Sequence, residues 1–127
     1  MKKYSLGKTG IKVTELCFGA LPIGPLQANI SVEEGAELIR AALERGINFI
    51  DTAEAYKTYP HIKKALEGYN KEVIIATKSS AETYKKWNKA LKMRLNPWDG
   101  LTWIFSFCTQ PESLPRSLKK EREHCNV

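Results

Sequence analysis

Hydrophobic residues change their spacing several times along this chain, and each change predicts an element. Tyr4-Ser5-Leu6 and Ile11-Lys12-Val13 flank Gly7-Lys8-Thr9-Gly10. Two short runs around a glycine-bearing turn predict a β-hairpin. Leu16-Cys17-Phe18-Gly19 is a short apolar run suited to a strand. The glycines and prolines from Gly19 to Pro25 then exclude regular structure. Ser31-Val32-Glu33-Glu34 has the form of a capping box, in which the Ser31 hydroxyl and the Glu34 carboxylate satisfy free backbone N–H groups. Ala36, Ile39, Ala42 and Leu43 recur at helical spacing. Gly46 closes that helix, because glycine tolerates the positive φ of the position after a helix end. Asn48-Phe49-Ile50 predicts a short buried strand with Asp51 at its end. Pro60 suits the first turn of a second helix. Ile62, Ala65 and Leu66 form the inner face of that helix, His61 its surface, and Gly68 its close. Val73-Ile74-Ile75-Ala76 is unbroken and apolar, as a parallel strand covered on both faces should be.

The predicted order is a hairpin followed by β-α-β-α-β. Such alternation implies an α/β fold with a parallel sheet, and periodicity alone admits a barrel and an open doubly wound sheet alike. Barrels carry their chemistry at the C-terminal ends of the strands. Asp51 falls at one predicted strand end, Tyr56 five residues later on the following loop, and Lys78 just after the next apolar run. Singly, these residues read as a turn cap, a half-exposed loop aromatic and a solvated strand end. Their shared placement on consecutive strand ends makes them candidates for a site.

Four stretches, taken together, resemble the aldo-keto reductases. They are Leu6-Gly7-Lys8-Thr9-Gly10-Ile11-Lys12-Val13, Phe18-Gly19, Phe49-Ile50-Asp51-Thr52-Ala53-Glu54-Ala55-Tyr56 and Ala76-Thr77-Lys78. The resemblance spans residues 4–84. It implies the N-terminal portion of a (β/α)8 TIM barrel, an incomplete one here, whose bottom the hairpin closes. It also implies NADP(H)-dependent reduction of small-molecule aldehydes and ketones to alcohols. By resemblance the catalytic residues are Asp51, Tyr56 and Lys78, and Gly19 and Asp51 lie at the nicotinamide end of the cofactor site. Tyr56 would protonate the carbonyl oxygen as hydride reaches carbon. A free tyrosine ionises near ~10, and a neighbouring ammonium, that of Lys78, stabilises the phenolate. Asp51 would hold Lys78 charged and oriented. The family also uses a histidine at the end of its fourth strand, in a D-x-x-x-x-H motif that this chain lacks. Neither His61, in the second helix, nor His124, in a charged run near the end, is placed to replace it.

Composition narrows the picture further. A complete barrel needs about 250 residues, and 127 accommodate only its first part. The apolar fraction of 43% and charged fraction of 27% are those of an ordinary globular protein. No apolar run approaches the ~20 residues of a membrane helix, and no apolar signal core follows Met1-Lys2-Lys3. The expectation is a cytoplasmic protein with no membrane partner. Cys17, Cys108 and Cys125 show no metal-ligand or disulfide spacing.

The positive charge is uneven. Of the net +6, +4 falls in residues 81–127, with all three tryptophans. The resemblance stops at Tyr84, and the genetic code offers a reason. Joining the last base of each codon to the first two of the next forces Glu at the Trp87–Asn88 junction. It likewise forces Gly at Trp98–Asp99, Asp at Trp103–Ile104 and Leu at Phe107–Cys108. All four fall where the family pattern accepts them. The shifted frame permits a helix, then a strand, then a histidine at the Cys108–Thr109 junction. The chain therefore divides into residues 1–84, the start of the barrel, and residues 85–127, an out-of-frame basic tail. On this reading the chain is a truncated, inactive reductase. Two alternatives remain open. Lys85, Lys86, Lys89, Lys92 and Arg94 with Trp87 could bind phosphates and stack on bases of a nucleic acid, although a solvated helix face explains the same lysines. The uncovered edges of a three-stranded sheet could also pair with a second copy.

Overall fold

A computed structural model describes residues 1–79 and 101–107. The hairpin forms from β1 (Lys3–Ser5) and β2 (Lys12–Thr14), paired antiparallel with Tyr4 opposite Val13. Gly7 and Gly10 both adopt positive φ in the connecting turn. The main sheet is parallel and runs in the order β3 (Phe18–Gly19), β4 (Phe49–Asp51), β5 (Val73–Ser79), β6 (Leu101–Phe107). Helix α1 (Val32–Glu44) joins β3 to β4, and α2 (Tyr59–Leu66) joins β4 to β5.

Local sequence explains each boundary. The Ser31 hydroxyl accepts from Glu34 N at 3.2 Å, and Ser31 N donates to the Glu34 carboxylate at 3.2 Å, which is the expected capping box. Gly46 follows the end of α1 at φ +94 and Gly68 follows the end of α2 at φ +70, a region costly for side-chain-bearing residues. The helices pack against each other and against one face of the sheet. Ile39, Leu43, Ile50, Ile62, Val73 and Ile75 form the centre of that core, each 1% exposed or less. Full burial of side chains of this size stabilises by ~1.5–3 kcal/mol apiece.

Two observations depart from expectation. The sheet has four strands rather than three. Leu101–Phe107, rich in the aromatic and β-branched residues that favour strands, pairs with β5 along its whole length, from Val73 opposite Leu101 to Ser79 opposite Phe107. Among the described strands β3 and β6 are the edges.

His61 is not a surface residue. It is 4% exposed and packs against α1 at Gly35. Its Nε2 lies 3.3 Å from the Ile30 carbonyl, which can only accept, so the ring carries its proton there, and Nδ1 has no partner among the described residues. The reason is positional, since His61 precedes the buried Ala65 by four residues and shares its stripe. A Cβ at Gly35 would stand 2.5 Å from the His61 ring. Gly35→Ala is therefore expected to lower stability by about 1 kcal/mol. Overpacking of about 1–3 kcal/mol outweighs the helix-propensity gain of about 1 kcal/mol. In a His61→Ala background the same substitution should become stabilising, as urea unfolding of the single and double variants would show.

Candidate active site

Side chains alternate across a strand, and the alternation here separates core from chemistry. Ile50 of β4 and Val73 and Ile75 of β5 face the helices. Phe49 and Asp51 therefore share the opposite face with Ile74, Ala76 and Lys78, because Phe49 pairs with Ile74 and Asp51 with Ala76. Gly19 is in register with Asp51 on the other side. The backbone around Asp51 is held from both flanks. Its carbonyl accepts from Ala20 N at 2.8 Å, and the next residue, Thr52, donates from its N to the Ala76 carbonyl at 2.8 Å. Two strand ends thus present Asp51 and Lys78 side by side. Lys78 Nζ donates to Asp51 Oδ1 at 2.7 Å.

The pair is partly open, with the Lys78 side chain 30% exposed and that of Asp51 43%. Ion pairs exposed to this degree contribute only ~0.2–1 kcal/mol to stability. Its consequence is geometric, because it fixes where the ammonium sits. Tyr56 supplies the third member. It ends a short 3-10 turn, Glu54–Tyr56, on the loop between β4 and α2, and its backbone N donates to the Ala53 carbonyl at 3.0 Å. Lys78 Nζ stands over the Tyr56 ring, 5.5 Å from its centroid, within the range of a cation–π contact. Asp51, Lys78 and Tyr56 are therefore brought together, with the ammonium near both the carboxylate and the phenol ring.

Gly19 lies exposed at its strand end beside Asp51, and a Cβ built there meets nothing within 4 Å. Packing does not demand glycine at this position. Its bareness leaves open room next to the acid–amine pair. Cys17, two residues earlier, was not singled out from the sequence, yet its thiol feels both charges of the pair. Desolvation first and the Asp51 carboxylate second push it up to about 11. A backbone hydrogen bond at Asp51 and the Lys78 ammonium act the other way. At neutral pH it is a thiol, not a thiolate nucleophile. Its i, i+2 relation to Gly19 was the available signal.

Other sequence candidates do not join this group. His61 is committed to the α1–α2 interface. His124, the Cys108–Thr109 junction and the Lys85–Arg94 stretch lie outside the described residues. No cluster of metal ligands occurs among the described residues. No described helix is long and apolar enough to cross a membrane.

Comparison with known proteins identifies the family and the fold. The model of the Aldo/keto reductase family matches residues 15–122. An L-galactose dehydrogenase of Arabidopsis thaliana is 35% identical over 80 residues, 58% of this chain and 25% of its own length. The aldo-keto reductase YhdN of Bacillus subtilis is 35% identical over 88 residues, 65% of this chain and 27% of its own length. The chain thus spans about a quarter of these curated relatives. The crystal structure of a thermostable aldo-keto reductase, Tm1743, in complex with the inhibitor epalrestat superposes with a TM-score of 0.68 at 23% identity. That match covers 98% of this chain and 51% of the other. The four parallel strands are accordingly part of an incomplete (β/α)8 barrel, and the chain belongs to the aldo/keto reductase family.

Proposed function

We propose that this chain carries the proton-donating half of a carbonyl-reductase site that works with NADP(H) on small aldehydes or ketones. The observation that carries this reading is the 2.7 Å Lys78–Asp51 contact with the Lys78 ammonium over the Tyr56 ring, all at one end of parallel strands. Bound NADP(H) would supply hydride to the carbonyl carbon. Tyr56 gives its hydroxyl proton to the carbonyl oxygen, and the negative charge left on the ring oxygen is stabilised by the nearby ammonium. Asp51 keeps Lys78 charged and aimed. Gly19, with no side chain, admits the nicotinamide end beside Asp51.

Residues 85–127 we read as translated out of frame, which removes the fourth-strand histidine, although the family match runs on to residue 122 in the frame as given. The four forced residues support this. Strand β6 is compatible with either frame, because the shifted codons also permit an apolar strand there. The uncovered edges of β3 and β6 among the described strands favour self-association as a second reading of the same chain. The 127-residue chain is expected to show no turnover with NADPH and common aldehydes. Turnover that disappears on Tyr56→Phe, in protein free of host reductase, would refute the inactivity.

A further inference from the structure

The segment that carries Tyr56 is held by two hydroxyl pairs that local structure does not require. Thr52 Oγ1 and Thr58 Oγ1 lie 2.8 Å apart, with both residues fully buried at 0% exposure. Tyr59 Oη and Thr77 Oγ1 lie 2.7 Å apart, also buried. The four positions form a pattern. Thr52 follows Asp51 and Thr77 precedes Lys78, so each strand residue of the ion pair has a hydroxyl neighbour. Those two hydroxyls are met by consecutive residues, Thr58 and Tyr59, at the start of α2. The loop from residue 52 to residue 58, which contains Tyr56, is therefore closed at its base and tied to both strands that supply the acid and the amine.

Thr58 makes the arrangement more telling. It is the N-cap of α2, where a threonine ordinarily accepts a hydrogen bond from the first free N–H groups of the helix. Here its side chain makes no capping bond. Its hydroxyl turns to Thr52 instead, so the helix forgoes a cap to make the contact. The approach is tight on the other side as well. A Cβ at Gly24 would stand 2.5 Å from the Tyr56 carbonyl oxygen and 2.7 Å from Thr58 Cγ2. Between these residues Lys57 sits at φ +58, a left-handed conformation uncommon for a residue with a side chain. A non-glycine residue persists there only when its surroundings hold it.

We propose that Thr52 and Thr58 are positioning residues for Tyr56, their buried hydroxyl pair fixing the Tyr56 ring against the Lys78 ammonium. The assignment rests on the reading of Tyr56 and Lys78 as site partners, and it adds residues that touch neither substrate nor cofactor. Replacing one threonine by valine leaves the other hydroxyl buried and unmatched, which is destabilising in itself. Replacing both leaves two apolar side chains of nearly the same shape, so the double variant separates positioning from an orphaned polar group.

The test is proton NMR of the full 127-residue chain, reading the ring-current upfield shift of the Lys78 Hε protons. Tyr56→Leu, which has no ring, sets the zero. The native chain should show the shift, Thr58→Ser should keep it, and Thr52→Val/Thr58→Val should lose more than half of it. The amide signals of Ile50 and Ile75 should meanwhile stay in place. A double variant that keeps the full shift overturns the proposal, as does one that also loses the Ile50 and Ile75 signals, since the pair would then hold the fold rather than the loop. Loss of the shift in Thr58→Ser overturns the assignment to the hydroxyl. A native chain indistinguishable from Tyr56→Leu overturns the Tyr56–Lys78 contact, and with it the site reading.

Discussion

Insertion of one base within the Lys85–Lys86 codons is expected to yield a working carbonyl reductase, if the out-of-frame reading proposed above is right. The argument starts from the forced residues. Glu, Gly, Asp and Leu at four junctions cannot be adjusted by codon choice, and each fits the family pattern where it falls. The restored frame should encode a helix, a fourth strand and its histidine, and then continue to a barrel of about 250 residues. Closing the barrel pairs the outer edges of β3 and β5 with newly encoded strands and covers the face that holds Phe49, Asp51, Ala76 and Lys78. The repaired protein should consequently be more soluble and unfold more cooperatively in urea than the 127-residue chain. It should also bind NADPH and consume it with common aldehydes. Sequencing the DNA past codon 127 comes first. A stop codon soon after codon 86 in the shifted frame, or nothing barrel-like beyond, would remove the frameshift explanation, and the tail would stand as a sequence in its own right.

Lys78→Met in the repaired protein is expected to lower kcat by about a hundredfold or more, within the range of ~10²–10⁴ that general acid catalysis supplies. Methionine preserves length and packing but removes the ammonium that lies 2.7 Å from Asp51 and 5.5 Å from the Tyr56 centroid. The phenolate formed as the proton leaves would then face an uncompensated carboxylate. Because the loss is confined to charge that develops during the reaction, kcat should fall much more than KM rises. A Lys78→Met enzyme with near-normal kcat would show that Lys78 orients nothing the reaction needs.

Much of the architecture was legible because it is encoded locally. The capping box needs only Ser31 and Glu34 three residues apart. Gly46 and Gly68 mark helix ends through a conformation that glycine alone adopts cheaply. Asp51 and Lys78 could be placed at strand ends because Asp51 follows an apolar run directly and Lys78 one residue, Thr77, after another. The features that escaped depend on distant chain segments meeting. His61 carries a polar ring, which disguised its membership in the Ala65 stripe. Nothing local in the sequence relates Thr52 to Thr58, whose hydroxyls only the fold places 2.8 Å apart. Cys17 shows its link to Asp51 only once β3 and β4 are in register. Strand β6 was missed because the reading turned on which frame encodes it, whereas backbone pairing with β5 asks only for extended residues of the right bulk.

At the other end of β4, the attachment of the hairpin has a consequence for modularity. Asn48 accepts from Thr14 N at 2.8 Å through Oδ1 and donates through Nδ2 to the Lys12 carbonyl at 2.9 Å. A side-chain amide has the same donor and acceptor as a peptide group, so Asn48 stands where a neighbouring strand would have stood. That amide asks of its partner a free N–H and a free C=O two residues apart. The hairpin is thus joined to the barrel through its backbone and through one side chain, the Thr14 hydroxyl, which accepts from Asn48 N at 3.3 Å. A different hairpin of the same backbone geometry could be grafted there provided it keeps a threonine or serine at position 14, while Asn48→Asp would spoil the junction by turning its one donor toward Lys12 into a second acceptor.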